Sequence, residues 1–254
     1  MEKNRFLWTG PLQFLFLANN SMEKGMMKRG FLNLLKSLEM TVTRKSFALD
    51  QLDIKLLHYL NFRDGFFIEA GAYDGMNQSN TLYFERYMNW KGILIEPIPE
   101  IADKCRKNRT KCIVENCALV PLDYYDNQIE MYYCGLMSLV RGAMKTEYEE
   151  LCHINKGVEL QENVSDFDTL TVPAKKLTSI LEYHRIPKID FFSLDVEGYE
   201  LNVLKGIDFS RYAPTYMLIE ARYRNEIIDY LKPFYKPIAE LSHHDILFKF
   251  RGSE

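Results

Sequence analysis

The stretch FIEAGAYDGMNQSNT, residues 67–81, places two glycines four residues apart directly after an apolar run that ends in an acid. The run predicts a strand that ends near Glu69, and Gly71 and Gly75 predict a tight turn before the next helix. Such a turn lets a small-molecule ligand lie close to the backbone. Asp74 puts a negative charge inside this turn. Phosphate-binding loops at helix N-termini attract anions, and an acid inside such a loop would repel the phosphate.

From residue 66 onward, short apolar runs alternate with helical patterns. The predicted strands are 66–70, 92–96, 112–116, 129–133, 169–173, 189–195, 215–220, 235–241 and 245–250, and the predicted helices between them are 78–88, 98–108, 175–184, 198–206 and 223–231. This alternation predicts an α/β domain with a mostly parallel sheet. The last two strands are too close in sequence for a helix between them, which predicts an antiparallel hairpin at one edge.

The segment before residue 66 has a different pattern, and we divide the chain into an accessory helical segment, 1–65, and a main domain, 66–254. Residues 22–40 carry apolar residues at helical spacing. A second helix is expected to begin with Asp50 as its N-cap. Its apolar face would consist of Leu52, Leu56, Leu57 and Leu60.

Residues 6–18 are apolar but interrupted by Thr9, Gly10, Pro11 and Gln13. The segment is too short and too broken to span a bilayer, and it lacks the basic start and the cleavage site of a signal peptide. We interpret it as a surface that docks on the domain, on a partner or on a second copy of the chain. A targeting role stays open.

The overall composition excludes several classes of partner. The 254 residues contain 32 Lys and Arg against 35 Asp and Glu, a net charge of −3, so no global charge attracts nucleic acid or anionic lipid. Five cysteines without a C-x-x-C pair predict free thiols in a reducing compartment and therefore a cytoplasmic protein.

Acidic residues follow the apolar runs of four predicted strands: Glu69, Glu96, Asp195 and Glu220. Because ligands of open α/β sheets lie beyond the carboxyl ends of the strands, we expect these acids at the ligand site. Glu96 stands 25 residues after the glycine turn begins, where a carboxylate can accept hydrogen bonds from both ribose hydroxyls. The alternative is that Glu96 caps the helix that begins near residue 98.

The charges of the turn distinguish two nucleoside cofactors. A dinucleotide requires a pyrophosphate site of the G-x-G-x-x-G type, but Tyr73 replaces the middle glycine and Asp74 would repel a pyrophosphate by about 1–4 kcal/mol. S-adenosylmethionine (AdoMet) carries an ammonium and a sulfonium, which favour acidic neighbours such as Glu69 and Asp74, and Tyr73 of the same turn is also a cofactor-binding candidate. Its carboxylate would need donors, and residues at the following helix start supply them: Gln78, Ser79, Asn80 and Thr81.

Four motifs in order resemble the FkbM family of AdoMet-dependent methyltransferases. Besides residues 67–81 they are NWKGILIEPIPE (89–100), NCALV (116–120) and FFSLDVEGYELNVLKGID (191–208). The last is the most specific, because Asp-Val-Glu-Gly-x-Glu followed by Val-Leu-Lys-Gly is typical of that family. The resemblance covers residues 66–250 and leaves the first 65 residues without an assignment.

The resemblance implies a Rossmann-like, seven-stranded class I methyltransferase sheet, with S-adenosylhomocysteine as the product of the cofactor. It places Glu69, Gly71 and Gly75 at the methionine part of AdoMet and Glu96 at the ribose. It also implies a role at the adenine for Pro97, Asn116, Cys117 and Ala118, and a position near the transferred methyl group for Asp195. Methylation of a hydroxyl on a small molecule or a glycan is the implied reaction.

Candidate bases for such a reaction are Asp195, Glu197 and the pair His243–His244. Glu197 is alternatively a favourable charge at a helix start, and turn histidines are alternatively solvated. Asp195 and Glu220 could hold a divalent cation, but two carboxylates do not define a metal site, so metal use stays open.

The segment 134–166 has no clear period, and we expect it to determine which acceptor binds, although KTEYEELCHINK (145–156) within it indicates a solvated helix. Two other functions stay open. One is a non-catalytic protein of this fold that serves as an interaction or trafficking module. The other is a nucleotide-dependent dehydrogenase, which Asp74 and the missing middle glycine disfavour.

Overall fold

The computed structural model describes residues 45–160 and 167–252. Residues 46–254 form one compact unit. The predicted helix 22–40 and the apolar segment 6–18 lie outside the described residues, as does most of the predicted accessory segment. The division at residue 65 therefore stays a prediction.

Helices and strands alternate through the described chain. The strands are β1 (Phe66–Ala70), β2 (Lys91–Ile95), β3 (Ile113–Glu115), β4 (Ala118–Leu119), β5 (Gln128–Tyr133), β6 (Leu139–Val140), β7 (Asp168–Lys175), β8 (Phe191–Leu194), β9 (Tyr216–Glu220), β10 (Tyr235–Glu240) and β11 (Asp245–Phe250). The α-helices are α1 (Leu52–Leu56), α2 (Leu82–Met88), α3 (Pro99–Asn108), α4 (Glu147–Glu159), α5 (Leu177–Tyr183), α6 (Glu200–Leu204) and α7 (Arg224–Leu231). Two 3₁₀ turns are added at Leu49–Gln51 and Gly135–Met137.

The main sheet has seven strands in the order β10-β11-β9-β8-β1-β2-β3. β3, β2, β1, β8 and β9 run parallel, and β11 pairs antiparallel with both β9 and β10. Strand order reverses between β1 and β8, so the carboxyl ends of these two strands and of β2 and β9 border one crevice. The predicted α/β class, the Rossmann-like sheet of seven strands and the C-terminal antiparallel hairpin are confirmed.

Apolar residues cover both faces of the central strands. Ile68 packs into one hydrophobic core and its neighbour Phe67 into the other, and Ile93 and Leu94 divide in the same way. Side chains alternate across a strand, so a continuous apolar run predicts burial on both faces. This pattern made the central strands readable from the sequence.

Two predicted strands do not belong to the main sheet. β5 and β7 pair antiparallel, and with β4 and β6 they form a separate sheet of four strands in the order β4-β7-β5-β6. β7 is exposed or half-exposed at every residue except Val172, and β5 is buried only at Met131. A strand with one solvent-exposed face cannot lie in the middle of a sheet that is covered on both sides. In β5 and β7 the exposed face carries the polar residues, which alternate with the apolar ones.

The helix predicted to begin at Asp50 starts later. Asp50 lies within the first 3₁₀ turn with φ 49°, and α1 begins at Leu52 without a side-chain cap. The predicted apolar face is buried: Leu52, Leu56, Leu57 and Leu60 pack into one core with Phe67. Asp53, which is fully buried, accepts hydrogen bonds from Ser46 Oγ and from the amide of Phe47.

Within residues 45–160 and 167–252, no helix combines the length and the apolar character that crossing a membrane requires.

Candidate active site

The turn after β1 lies directly against the end of β8. Gly71 has φ +81°, and a Cβ added to it would lie 1.8 Å from the carbonyl oxygen of Asp195. The amides of Gly71 and Ala72 both donate to the carbonyl of Ile95, the last residue of β2, at 3.1 Å. The turn therefore joins the ends of β1, β2 and β8, and only glycine fits at its first position.

Glu69, at the end of β1, is buried and accepts hydrogen bonds from the following loop. Its carboxylate accepts from Ser79 Oγ at 2.9 Å, from the amide of Asn80 at 2.8 Å and from Thr81 Oγ1 at 2.5 Å. Each hydroxyl has one proton and donates it to Glu69. This differs from the role predicted for Ser79 and Thr81. To donate to a cofactor carboxylate, their hydroxyls would first have to give up their hydrogen bonds to Glu69.

Arg109 completes this buried network, and sequence reasoning missed it. Its guanidinium lies 3.7 Å from Glu69, pairs with Glu85 and donates to the carbonyl of Gly75 at 2.8 Å. It also donates to Ser79 Oγ and Thr81 Oγ1. Arg109 is fully buried, whereas its surroundings in the sequence, a run of Lys and Arg, indicate a solvated surface.

Asp74 stabilises the turn from outside the cavity. Its Oδ1 accepts hydrogen bonds from the amides of Met76 and Asn77, both at 2.8 Å. Gly75 has φ +76°, and a Cβ there would lie 2.6 Å from Cγ of Arg109. These contacts make Asp74 and Gly75 structural parts of the loop.

Glu96 follows β2 and is held by two backbone amides. Oε2 accepts from Tyr73 N and Oε1 from Ile98 N, both at 2.9 Å. Burial raises the pKa of Glu96 to about 7, although both amide hydrogen bonds favour the ionised form. The hydrogen bond from Ile98 N fits the alternative of a helix cap, and it leaves the predicted ribose contact possible, since a carboxylate has about four acceptor positions and the two amides use two.

The turn after Glu96 is held from β3. Asn116 Nδ2 donates to the carbonyls of Glu96 and Pro97, at 2.9 and 2.8 Å. Cys117 and Ala118 follow and are buried. Asn116 therefore acts on the shape of the turn, while its two neighbours and Pro97 line the cavity beside it.

Three carboxylates converge at the ends of β8 and β9. One oxygen each of Asp195, Glu197 and Glu220 lies within 4.8 Å of the others, and we call these residues the acidic cluster. Asp195 is exposed, because its side chain faces the open cavity, although the protein atoms that line this cavity partly desolvate its carboxylate. Burial raises the pKa of Asp195 well above its usual range, and the charges of Glu220, Glu197 and Glu200 add to this effect.

Glu197 stands in a left-handed backbone conformation, φ 55°. Burial raises the pKa of Glu197 to about 8, with a further contribution from the charges of Glu220 and Glu200. Glu200 is fully buried, and burial raises its pKa to about 7 although its Oε1 accepts from the amides of Val196 and Gly198. The turn after β8 therefore wraps around one buried acid and presents two others to the cavity.

His153 connects the acidic cluster to two other elements. Arg222 Nη2 lies 3.1 Å from His153 Nδ1, and His153 Nε2 lies 3.0 Å from the carbonyl of Met137 and 3.3 Å from Glu197 Oε2. A guanidinium can only donate, so Nδ1 accepts and Nε2 carries the proton. Burial, followed by the charges of Arg222 and Lys156, lowers the pKa of His153, which keeps the imidazole neutral.

A cavity of about 910 Å³ joins these groups. The predicted site residues that line it are Glu69, Gly71, Tyr73, Ser79, Glu96, Pro97, Cys117, Ala118, Asp195 and Glu197; those that do not are Asp74, Gly75, Asn80, Thr81 and Asn116. The residues that do not line the cavity stabilise the loops that form it. The volume lies at the upper end of the range for small-molecule sites, so a cofactor and an acceptor can share it.

The segment predicted to determine the acceptor contributes to the cavity. Gly135, Ser138 and Lys156 line it, whereas Arg141 pairs with Glu130 at the surface. The helix expected to be solvated, α4, is buried along one side, at Glu150, His153, Ile154 and Gly157. Residues three to four positions apart share a helix face, so this spacing was the available signal for His153. His243 and His244 stack on each other and line the cavity.

Known proteins share this organisation to different degrees. The family described as Methyltransferase FkbM domain matches residues 69–251, well over half of the chain. The curated relative Methyltransferase sdnD of Sordaria araneosa is 29% identical over 164 residues, which cover 56% of this chain and 60% of that relative. This chain thus aligns with less than two thirds of the relative's length.

Solved structures resemble this chain weakly and at low sequence identity. A chain in a fibrillarin/Nop5p complex has a TM-score of 0.43 at 11% identity, covering 80% of this chain and 81% of that chain. A methyltransferase from Geobacter sulfurreducens has a TM-score of 0.42 at 8% identity, covering 95% of this chain and 97% of that chain. With scores this low, the class I methyltransferase fold rests on the strand order itself. The family match runs from Glu69, near the end of β1, through β11, so the chain belongs to the methyltransferase FkbM domain family.

Proposed function

We propose that the protein is an AdoMet-dependent methyltransferase that acts on a hydroxyl of a small-molecule or glycan-like acceptor. The observation that carries the proposal is the arrangement of charges in one cavity. The buried carboxylate of Glu96 lies at the end of β2, and the acidic cluster lies at the ends of β8 and β9. Between them runs the glycine turn, which brings the backbone close to a ligand.

These groups fit AdoMet in their chemistry. Glu96 retains acceptor capacity for two ribose hydroxyls. Gly71 has no Cβ, which leaves space at the turn. Asp195 lies next to Gly71 and supplies a negative charge, which favours an ammonium or a sulfonium over a pyrophosphate. Pro97, Cys117 and Ala118 form an apolar wall suited to the adenine.

When bound, AdoMet would supply an electrophilic methyl group, whose carbon forms a bond to the acceptor oxygen as its bond to sulfur breaks and S-adenosylhomocysteine leaves. The chain's own groups orient the acceptor and take its proton. Asp195 and Glu197 face the cavity with raised pKa values, which suits carboxylates that accept a proton near neutral pH. The hydroxyl proton passes to one of these two carboxylates.

Ligand-dependent thermal unfolding tests the cofactor. AdoMet and S-adenosylhomocysteine are expected to raise the Tm of the wild-type protein, and NAD is expected to leave it unchanged. The variant Glu96→Ala should lose the shift, and Glu100→Ala, at an exposed position four residues later, should keep it. A shift with NAD alone would favour the dehydrogenase alternative.

The reaction is tested by incubating the protein with AdoMet and candidate acceptors, or with cell extract, and searching by mass spectrometry for products with one added methyl group. Loss of the product in Asp195→Asn, measured at AdoMet concentrations that saturate the variant, is the expected result. A protein that binds AdoMet but whose biological activity survives both Asp195→Asn and Glu96→Ala would instead be a non-catalytic module.

A further inference from the structure

The acidic cluster holds more negative charge than its surroundings compensate. Its three carboxylate oxygens lie within 4.8 Å of one another, close enough for strong mutual repulsion in a partly buried site. Among the described residues, the one permanently charged group within 4 Å of the cluster is Arg222, whose Nη2 is 3.9 Å from Glu197 Oε2. His153, also in contact with Glu197, is neutral by the geometry given above.

Two buried carboxylate oxygens here have no hydrogen-bond partner in the described part of the chain. One is Oε2 of Glu220, a member of the acidic cluster. The other is Oε2 of Glu200, whose side chain is fully buried and whose charge acts on both Asp195 and Glu197. Buried polar atoms are rarely left without a partner, so Oε2 of Glu220 points to a ligand at the cluster, and the neighbouring charge of Glu200 favours a positively charged one.

We propose that Asp195, Glu197 and Glu220 bind one divalent cation of the magnesium type at the cavity end of β8 and β9. Carboxylate oxygens are the ligands that hard cations prefer, and small side-chain movements bring three oxygens this close onto one ion. No sulfur ligand and no deprotonated imidazole nitrogen faces the same point among the described residues, which disfavours a zinc site.

The use of this cation in catalysis rests on the proposed function, whereas its binding does not. An ion bound by three carboxylates keeps open positions for oxygen atoms of an acceptor in the cavity. Its charge would lower the pKa of a bound hydroxyl, whose proton then passes to a carboxylate oxygen of the cluster. The acceptor class is therefore an oxygen-rich molecule that presents a hydroxyl and a further oxygen to the ion.

The direct experiment measures metal binding without any substrate. The full chain is dialysed against a chelator and titrated with Mn²⁺, and the free ion is followed by electron paramagnetic resonance. Mg²⁺ and Ca²⁺ are then added as competitors. We expect one saturable site per chain, with affinity reduced at least about tenfold in Asp195→Asn and in Glu220→Gln. Asp103→Asn, exposed on α3, should bind like the wild type.

Thermal unfolding of the metal-free variants guards against misfolding. Removing one of three repelling carboxylates should leave the Tm equal to or above that of the wild type, while the Tm increase caused by Mn²⁺ is lost. The proposal is overturned if no saturable binding occurs at millimolar Mn²⁺, or if Asp195→Asn and Glu220→Gln bind as tightly as Asp103→Asn. Either result leaves the AdoMet-dependent Tm shift intact, so failure of the metal site and failure of the proposed function are distinguishable.

Discussion

The amide of Tyr73 donates to Oε2 of Glu96 across the ends of β1 and β2, at 2.9 Å. The bond joins the glycine turn to the acid at the end of the next strand, although 23 residues separate the two. Ile98 N holds the other carboxylate oxygen, so the plane of the carboxylate is set by the backbone on both sides. The candidate ribose acceptor is thus preorganised before any ligand binds.

Replacing Glu96 by Gln should weaken AdoMet binding by about tenfold or more, because hydrogen bonds to a charged acceptor contribute about 1.5–3 kcal/mol. In the wild type, affinity should rise as pH increases through about 7, the raised pKa of Glu96, since the ionised form accepts from both ribose hydroxyls. Isothermal titration calorimetry across this range measures both effects.

Glu100→Gln is the matched control for this pH dependence, since Glu100 lies exposed in the first turn of α3. It should bind AdoMet with the same affinity and the same pH profile as the wild type. An unchanged pH profile in Glu96→Gln would show that another group titrates, and the ribose assignment would then be wrong.

Replacing Gly71 by Ala should be far more costly than replacing Gly142 by Ala. Both glycines have φ +81°, but a Cβ on Gly142 meets no atom within 4 Å, whereas one on Gly71 would lie 1.8 Å from Asp195 O. We expect a loss of about 1–2 kcal/mol for Gly142→Ala from the backbone alone and about 2–5 kcal/mol for Gly71→Ala. Urea unfolding of both variants measures the difference, and equal losses would contradict the close approach of the two loops.

Replacing Arg109 by Met should destabilise the domain by about 3–5 kcal/mol, because it leaves the buried carboxylates of Glu69 and Glu85 uncompensated. Arg106, three residues earlier in the last turn of α3, provides the control, since its pair with Asp103 is largely exposed and contributes about 0–1 kcal/mol. Denaturant unfolding of Arg109→Met and Arg106→Ala gives both values. A loss in Arg109→Met no larger than in Arg106→Ala would argue against the buried network.

His153 should be observed as the neutral tautomer with the proton on Nε2, because Arg222 donates to Nδ1. Nitrogen-15 NMR of the imidazole at neutral pH distinguishes the two nitrogens, and the exposed His58 serves as an internal reference. In Arg222→Met the preference for this tautomer should weaken. A protonated Nδ1 in the wild type would contradict the contact between His153 and Arg222.

Local pattern in the sequence was enough for the sheet and its ligand-binding edge. Apolar runs mark strands covered on both faces, and an acid at the end of each run lies at the carboxyl edge because parallel strands end on the same side. By this reasoning Glu69, Glu96, Asp195 and Glu220 were placed together, as the structure has them. The sequence did not predict the separate sheet of β5 and β7. The alternation of apolar and polar residues shows which face of a strand is exposed to solvent, but it does not show which strand pairs with it.

Only the tertiary structure decided which polar side chain faces the cavity and which faces another side chain. Ser79 and Thr81 look like donors for a ligand, but Arg109 and Glu69 use their hydroxyls. Likewise, His153 meets Arg222 and Glu197 from a different element. Hydrogen-bond partners this far apart along the chain produce no local sequence pattern, because their contact depends on how helices and strands pack. The sequence by itself therefore determined the sheet and the edge where the acids gather, and tertiary packing decided which groups each acid contacts.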